Sequence, residues 1–288
     1  MNPGIAFAAL AYLTWGLFPL YLKQVASVPA LEVVAHRTVW SLVFSLAMLA
    51  VLRRWSWLRT LSAELLWKTA LSALFVAANW LGYVWAIATD HVVDASLGYF
   101  INPLVNVALG YLVLHERLRA AQWVAIGFAT GGVLWLTWQL GHAPWISLML
   151  AVTFGLYGLM RKTSPLGAIE GLTLETLLLA PIAIVALAWW TAQGQHALTD
   201  PAHTGWLLGT GPLTAGALML FAAGARRIPL STLGLIQYMS PTLQLLLGVW
   251  VYHEPMSSAR LIGFALIWAG LAIYSADSLF KRPQQVSG

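Results

Sequence analysis

The sequence predicts an all-α polytopic membrane protein of ten transmembrane helices, arranged as two inverted five-helix repeats. Three observations lead to this fold class: the apolar composition, the number of apolar segments, and an internal repeat with reversed loop charges. Of the 288 residues, 60% are hydrophobic and only 9% are charged, against about 25% charged residues in a typical soluble domain. A water-soluble fold cannot bury that much apolar surface.

Ten apolar segments are long enough to cross a bilayer, which takes about 20 helical residues. They cover residues 3–22, 32–52, 67–88, 94–114, 120–138, 144–160, 169–190, 205–225, 231–252 and 259–276. The connecting loops are short, so we expect no soluble domain. None of the segments alternates polar and apolar residues as the strands of a membrane barrel do. Helices satisfy every backbone group inside the bilayer, and the segments are therefore predicted to be helices.

An internal repeat divides the chain into two halves. The frame of Pro, six residues, Gly, four residues and His-Glu occurs in LGYFINPLVNVALGYLVLHE (97–116) and again in LIQYMSPTLQLLLGVWVYHE (235–254). TWGLFPLYLK (14–23) and TFGLYGLMRK (153–162) form a second matching pair. The halves are predicted to be residues 1–140 and residues 141–288, with five helices each. Because five is odd, the second half must enter the membrane from the opposite side.

The basic residues agree with this topology. If the N-terminus is cytoplasmic, twelve basic residues fall on the cytoplasmic side, two fall outside, and Arg37 lies within predicted helix 2. This asymmetry follows the positive-inside rule, so we expect both termini in the cytoplasm and no nucleic acid partner. The twelve are Arg53, Arg54, Arg59, Lys68, Arg117, Arg119, Arg161, Lys162, Arg226, Arg227, Lys281 and Arg282, and the two are Lys23 and Arg260.

Several kinds of chemistry are excluded by residues that the chain lacks. It has no cysteine, which excludes disulfides, thiolate catalysis and cysteine-ligated metals. It has no Walker motif, so ATP is not expected to drive it. The His-Glu pairs at 115–116 and 253–254 lack the second histidine of a zinc motif and lie at predicted helix ends, so a gating or structural role is favoured. We expect no metal and no cofactor.

Polar residues accompany a proline in each half. Pro103 and Pro241 have no backbone N–H, and each leaves a carbonyl of the preceding turn without its helical donor, those of Tyr99 and Gln237. Because such groups are costly in lipid, we expect predicted helices 4 and 9 to face each other across an aqueous cavity. Hydrogen bonding between helices is the alternative role for the polar side chains. At helical spacing they form two stripes: Tyr99, Asn102, Asn106 and Gly110, and Gln237, Ser240, Gln244 and Gly248.

Aromatic and amide residues elsewhere are further candidates. Predicted helix 3 contains NWLGYVW, which places Asn79 and Tyr83 one turn apart with Trp80 adjacent. Trp15 in helix 1 and Tyr157 in helix 6 lie within their segments. Such rings can stack on a ligand, and packing in the protein core is the alternative.

Ionisable residues within the predicted helices carry more weight, because each costs about 3 kcal/mol to insert at the centre of a membrane helix. His36 and Arg37 lie one turn into helix 2, and Glu175 lies one turn into helix 7. Arg37 is predicted to hold an anionic group such as a carboxylate, with His36 or Glu175 accepting protons. The alternative is that these shallow charges extend to the membrane interfaces.

With these motifs, the chain resembles the EamA type of the drug/metabolite transporter superfamily, and within it the bacterial RarD group. The stretches that carry the likeness span nearly the whole chain: AYLTWGLFPLYLK, HRTVWS, ANWLGYVWA, SLGYFINPLVNVALGYLVLHERL, FGLYGLMRK, ETLLLAP and STLGLIQYMSPTLQLLLGVWVYHE. One departure is the HEP at 253–255, where a glycine-glutamate pair is common in the superfamily.

The resemblance implies a bacterial inner-membrane protein with a central cavity, lined by helices of both halves, through which small metabolites pass. Carried over position by position, it favours a lining of Trp15, Asn79, Trp80, Tyr83, Tyr99, Asn102, Tyr157, Gln237 and Tyr238.

We therefore expect a secondary transporter, not an enzyme, that moves a small organic metabolite by alternating access. An amino acid or similar zwitterion is the preferred substrate, with a coupling proton and membrane lipid as further partners. Export of drugs of the chloramphenicol type is one alternative. An integral-membrane enzyme is less favoured, because the sequence offers no clustered nucleophile or metal ligands. The predicted substrate-binding residues are Trp15, Arg37, Asn79, Trp80, Tyr83, Tyr99, Asn102, Asn106, Tyr157, Gln237, Tyr238 and Gln244, and the predicted proton carriers are His36 and Glu175.

Overall fold

The computed structural model describes residues 2–89, 91–194, 201–251 and 258–280. These residues form eleven α-helices and two short 3-10 helices, Lys23–Val25 and Ser56–Thr60. The α-helices are α1 Pro3–Leu22, α2 Ala30–Leu52, α3 Ala63–Ala88, α4 Val92–Leu112, α5 Ala120–Leu140, α6 Trp145–Thr163, α7 Ala168–Ala192, α8 Pro201–Ala225, α9 Leu230–Gln237, α10 Met239–Trp250 and α11 Ser258–Phe280.

Eight helical segments among the described residues are long and apolar enough to cross a membrane, which confirms the prediction of an all-α, multi-pass membrane protein. α9 and α10 have only eight and twelve residues, and α6 carries Arg161 and Lys162 in its last turn. The eight segments are Pro3–Val25, Ala30–Leu52, Ala63–Tyr83, Asp94–Leu112, Ala120–Gln139, Ala168–Ala192, His203–Ala225 and Ser258–Asp277.

The predicted segment 231–252 is broken into α9 and α10 at Tyr238. Pro241 has no N–H to donate to the carbonyl oxygen of Gln237, so the hydrogen-bond ladder of a continuous helix is interrupted there. The N–H of Tyr238 instead bonds the carbonyl oxygen of Leu235, at 3.3 Å, in a tighter turn. Pro103 stands at the equivalent position of α4, and that helix remains continuous.

The most extensive helix contacts join the first half of the chain to the second. α1 packs on α8 and α10, α2 on α7 and α8, α3 on α6 and α7, α4 on α6 and α9, and α5 on α11. Helices within the first half touch one another less: α3 and α4 contact only modestly, as do α4 and α5. The two halves therefore share one packed interior.

Two close contacts between α5 and α11 are equivalent to each other: moving the residues of one contact by the repeat offset of 138 residues gives the residues of the other. A Cβ added at Gly132 would lie 2.6 Å from the carbonyl oxygen of Gly263, and a Cβ added at Gly270 would lie 2.6 Å from the carbonyl oxygen of Ala125. Adding 138 to 132 and to 125 gives 270 and 263. Small residues let helix backbones approach this closely in membranes.

A second pair of contacts is equivalent in the same way. A Cβ added at Gly16 in α1 would lie 2.7 Å from the Leu243 side chain in α10, and a Cβ added at Gly155 in α6 would lie 2.7 Å from the Val105 side chain in α4. The offsets are 139 and 138 residues. α1 therefore meets α10 as α6 meets α4.

Replacing Gly132 by Ala should destabilise the protein by about 1 to 3 kcal/mol, because the added methyl group overlaps the α11 backbone. Gly131→Ala is the matched control, since no atom lies within 4 Å of a Cβ added there. The measurement is the melting temperature of the detergent-solubilised protein. We expect a fall for Gly132→Ala and little change for Gly131→Ala; equal melting temperatures would contradict the described contact.

Candidate substrate-binding cavity

A cavity of about 150 Å³ lies among α1, α2, α3, α4, α6, α8, α9 and α10. Nine of the twelve predicted substrate-binding residues line it, although they are far apart in the sequence. The nine are Trp15, Arg37, Asn79, Trp80, Tyr83, Tyr99, Asn102, Gln237 and Gln244.

Predicted helix 9 meets α4 in two ways: α9 contacts α4 directly, whereas α10 and α4 both line the cavity. The Tyr238 hydroxyl donates to the carbonyl oxygen of Phe100 at 3.2 Å. A Cβ added at Gly234 would lie 2.6 Å from the carbonyl oxygen of Pro103. Both helices still contribute polar side chains to the lining, Asn102 from α4 and Gln237 from the end of α9.

Arg37 is held on one wall by contacts that leave its charge without a protein counterion. Its Nε donates to the Thr214 hydroxyl at 3.0 Å. The guanidinium carbon lies 5.1 Å from the ring centroid of Phe18 and 4.9 Å from that of Trp80, the geometry of cation–π contacts. Among the described residues, no carboxylate forms an ion pair with Arg37. Its two terminal nitrogens therefore remain for a ligand.

Three buried amides form a hydrogen-bond network at the edge of the cavity. Asn106 Nδ2 donates to Gln237 Oε1 at 2.9 Å and lies 3.1 Å from Asn102 Oδ1. Asn102 donates to the carbonyl oxygen of Ala151 at 2.6 Å, and the Tyr12 hydroxyl donates to Gln237 Oε1 at 3.3 Å. The network joins α1, α4, α6 and α9. Asn102 and Gln237 thus connect helices and also line the cavity.

Two further amides border the cavity and are fixed through their nitrogens. Asn79 Nδ2 donates to the carbonyl oxygen of Leu150 at 2.8 Å and to the Thr153 hydroxyl at 3.1 Å. Gln244 Nε2 donates to the carbonyl oxygen of Trp15 at 3.1 Å. In both residues the amide oxygen stays available as a hydrogen-bond acceptor.

Aromatic rings supply most of the remaining lining. Tyr83 and Tyr99 pack edge to face, with their centroids 5.9 Å apart. Trp15 lies 5.6 Å from Phe154 and 5.6 Å from Phe221, centroid to centroid, and Trp15 and Phe154 line the cavity. The site therefore combines one fixed cation, several amides and flat apolar surfaces.

Three predicted binding residues lie outside the lining. Asn106 is fully buried behind Asn102 and Gln237. Tyr157 is fully buried and stacks on Phe221 at a centroid distance of 5.9 Å. The Tyr238 side chain points to α4, where it bonds Phe100.

The two predicted proton carriers are buried away from the cavity and from each other. Glu175 accepts hydrogen bonds from the Ser72 hydroxyl at 2.6 Å and the Tyr157 hydroxyl at 3.3 Å, and it lies 3.6 Å from Arg161. Glu175 and Arg161 are each 1% exposed. This charge therefore forms a buried pair and does not extend to an interface.

His36 is 2% exposed and, unlike the adjacent Arg37, does not line the cavity. Its Nδ1 accepts a hydrogen bond from Trp40 Nε1 at 3.3 Å, and its Nε2 lies 3.8 Å from Glu32 Oε1.

Leu22 and Thr214 contribute to the site without having been predicted from the sequence. Leu22 lines the cavity, seven residues after Trp15. This spacing puts it on one helix face with Trp15 and could have identified it. Thr214 lies in an ordinary small-residue run of α8, and no sequence pattern connects it with Arg37.

Glu116 connects the end of α4 to the start of α9. Its carboxylate accepts hydrogen bonds from the backbone N–H groups of Leu230 at 2.6 Å and Ser231 at 3.0 Å, and from the Ser231 hydroxyl at 2.7 Å. Lys162 lies 3.9 Å from the same carboxylate and donates to the carbonyl oxygen of Ile228. A carboxylate is favourable at a helix N-terminus, where backbone N–H groups lack partners. Glu116 belongs to the first His-Glu pair of the repeat, and the second His-Glu pair, at 253–254, lies outside the described residues.

Comparison with known proteins gives consistent matches over nearly the whole chain. The model of the EamA-like transporter family matches twice, over residues 2–138 and 143–276. Protein RarD of Streptomyces exfoliatus is 48% identical, with 96% of this chain and 89% of that protein covered. An uncharacterized transporter of Pseudomonas aeruginosa is 44% identical, with 99% and 98% covered. One solved crystal structure has the same fold, with a TM-score of 0.74 at 18% identity over 96% of this chain and 98% of its own.

Replacing Glu116 by Ala should lower the melting temperature of the detergent-solubilised protein. The change leaves two partly buried N–H groups of α9 without acceptors, at a cost of roughly 1 to 3 kcal/mol. Glu116→Gln keeps one oxygen acceptor, so its melting temperature should lie between those of the wild type and Glu116→Ala. Glu64→Ala is the control, because Glu64 makes only an exposed pair with Lys68. An unchanged melting temperature for Glu116→Ala would show that this cap does not stabilise the fold.

Proposed function

The chain belongs to the EamA-like transporter family, and from this premise we propose that it is a secondary transporter of the bacterial inner membrane that moves a small organic metabolite by alternating access. The preferred substrate is an amino acid or a similar zwitterion. Alternating access means that one central site opens to either face of the membrane in turn, and paired inverted repeats are a common basis for it.

The proposed architecture is ten transmembrane helices in two inverted repeats, residues 1–140 and residues 141–288, with α9 and α10 together forming the ninth. Two observations support it: the family model matches once in each half, and the contacts of Gly132 and Gly16 recur at their repeat equivalents. The excess of basic residues in alternate loops supports cytoplasmic termini.

The observation that carries alternating access is a pair of equivalent positions in two different states. Asn106 and Gln237 are hydrogen-bonded at 2.9 Å and buried. Shifting each by the offset of 138 gives Gln244 and Tyr99. These two residues line the cavity instead; Gln244 bonds Trp15 and Ser240, and Tyr99 packs on Tyr83. One end of the site is therefore closed by a contact whose equivalent at the other end is open.

If the contact between Asn106 and Gln237 opened and the equivalent positions Gln244 and Tyr99 came together, the cavity would open to the opposite face of the membrane. In the state described, Glu116 adds a second connection at the closed end, between α4 and α9.

The lining suggests how a zwitterion would be bound. Arg37 would hold the carboxylate through its free terminal nitrogens, and Asn79, Asn102 and Gln237 would provide hydrogen bonds. Trp15, Trp80 and Tyr99 would provide surfaces for an apolar side chain.

Two alternatives are weighed against this. Export of chloramphenicol-type drugs would use the same cavity, and labelled chloramphenicol is its probe. An integral-membrane enzyme is less favoured, because the matching family and several relatives are named as transporters.

Crosslinking either end of the site should stop transport. Because the chain has no cysteine, the pair Asn106→Cys with Gln237→Cys, or Tyr99→Cys with Gln244→Cys, can be joined by a reducible bifunctional thiol reagent. The assay is exchange of labelled amino acids, with labelled chloramphenicol in parallel, in liposomes that contain only this protein. The comparison is between the reduced and the crosslinked form of the same double variant, because the cysteines at Gln237 and Tyr99 can themselves lower the rate. We expect each crosslink to block the exchange that the reduced form retains, and the reagent to leave the exchange of the single-cysteine variants unchanged. Exchange that continues through a completed crosslink would contradict alternating access.

Proton coupling through His36 and Glu175 is part of the proposal, because buried ionisable groups in membrane helices commonly mark proton paths. A pH gradient across the liposomes should change the rate of amino acid exchange in the wild type. In Glu175→Gln the exchange should lose its response to the gradient. Equal rates with and without the gradient in the wild type would remove proton coupling from the mechanism.

A further inference from the structure

We infer that the cavity selects its solute by charge, binding an organic monocarboxylate more tightly than the matching zwitterion and rejecting the matching cation. This inference rests on the proposed function, since it concerns the same site. It refines that function: the carboxylate of the proposed amino acid substrate is the group recognised, and its ammonium group lowers the affinity relative to a matching monocarboxylate.

The charge of the cavity lining is the first observation. Among the described residues that line it, Arg37 is the only Asp, Glu, Lys, Arg or His. The other lining residues are aromatic, amide, hydroxyl or aliphatic, and they carry no formal charge. A single fixed cation in a cavity lined by protein makes the interior favourable for one negative charge.

The acidic groups on the surrounding helices lie outside the cavity and close to basic side chains or histidines. Glu175 pairs with Arg161 at 3.6 Å, Glu32 lies 3.8 Å from His36, and Asp94 lies 3.7 Å from His142. None of these carboxylates lines the cavity. A substrate ammonium group would therefore meet no carboxylate there.

The way Arg37 is anchored is the second observation. Thr214 accepts the hydrogen bond of Nε, and the guanidinium carbon lies over the rings of Phe18 and Trp80. The terminal nitrogens are the part of the planar fork that binds a carboxylate through two parallel hydrogen bonds. Helices α1, α2, α3 and α8 all contribute to this anchoring, so the fork is positioned before a ligand arrives.

An ammonium group changes the balance unfavourably. To enter, it must lose its water shell and lie close to the Arg37 charge, with only amide oxygens and aromatic faces as partners. A zwitterion carries this cost together with the gain from its carboxylate, while a cation carries the cost alone. The expected order of affinity is monocarboxylate, zwitterion, neutral compound and then cation.

Four probes with one phenyl skeleton separate these cases: 3-phenylpropionate, L-phenylalanine, 2-phenylethanol and phenethylamine. Each is added at the same concentration to the detergent-solubilised wild type, and the melting temperature is measured. A ligand at about 100 times its Kd should raise it by roughly 5 °C. We expect the largest rise with phenylpropionate, a smaller rise with phenylalanine and none with phenethylamine.

Arg37→Gln should lose the preference for phenylpropionate over phenylethanol, and Arg37→Lys should retain part of it. Arg119→Gln is the matched control, since Arg119 pairs with Asp277 outside the cavity. If Arg37→Gln does not fold, the order of the four probes on the wild type still decides. A larger shift with phenylalanine or phenethylamine than with phenylpropionate, equal shifts, or no shift would overturn the charge inference.

The two proposals fail separately. The probe experiment measures binding and does not depend on transport. If labelled amino acids exchange in liposomes but the four probes give the wrong order of melting temperatures, the charge inference is removed and the transporter proposal stays intact.

Discussion

The absence of water inside a bilayer is the constraint on which this structure depends. A polar group in a membrane helix must find a partner in the protein or border a water-filled space, because lipid offers neither donor nor acceptor. Asn102, Asn106 and Gln237 meet this requirement by bonding one another and the α6 backbone. The same requirement explains why Arg37 is placed on a cavity wall, where its terminal nitrogens are not sealed into hydrocarbon.

Close helix contacts hold the site in place. In lipid, the association of helices depends on van der Waals packing and on hydrogen bonds more than on the hydrophobic effect. Gly16, Gly132 and Gly155 bring helices of one half against helices of the other, and the amide network crosses the same boundary. A cavity lined by both halves therefore depends on packing that neither half could supply alone.

Much of the cavity could be predicted from the sequence, since polar residues at helical spacing beside a proline are costly in lipid and rarely occur there without a partner or a function. That argument identified Tyr99, Asn102 and Gln237. It could not separate Asn106, which is buried behind the lining, because both kinds of position look alike in one helix. The partnership of Arg37 with Thr214 spans 177 residues. The Glu116 cap on α9 spans 114. Only the tertiary arrangement brings such distant groups together.

The hydrogen bond between Tyr238 and Phe100 has a special place in a duplicated molecule. Residues 100 and 238 differ by the repeat offset of 138, so this pair of positions, though not the hydrogen bond itself, is its own counterpart when the halves are interchanged. The contact of Gly132 with Gly263 and the pair Asn106–Gln237 have counterparts at other positions, Gly270 with Ala125 and Gln244 with Tyr99. If the two halves exchange states as proposed, positions 100 and 238 have no separate counterpart to exchange with, so they would stay in contact while the other pairs change. The tight turn at Tyr238, where the helical hydrogen-bond ladder is interrupted, lies at this contact, and the two halves would tilt about this point.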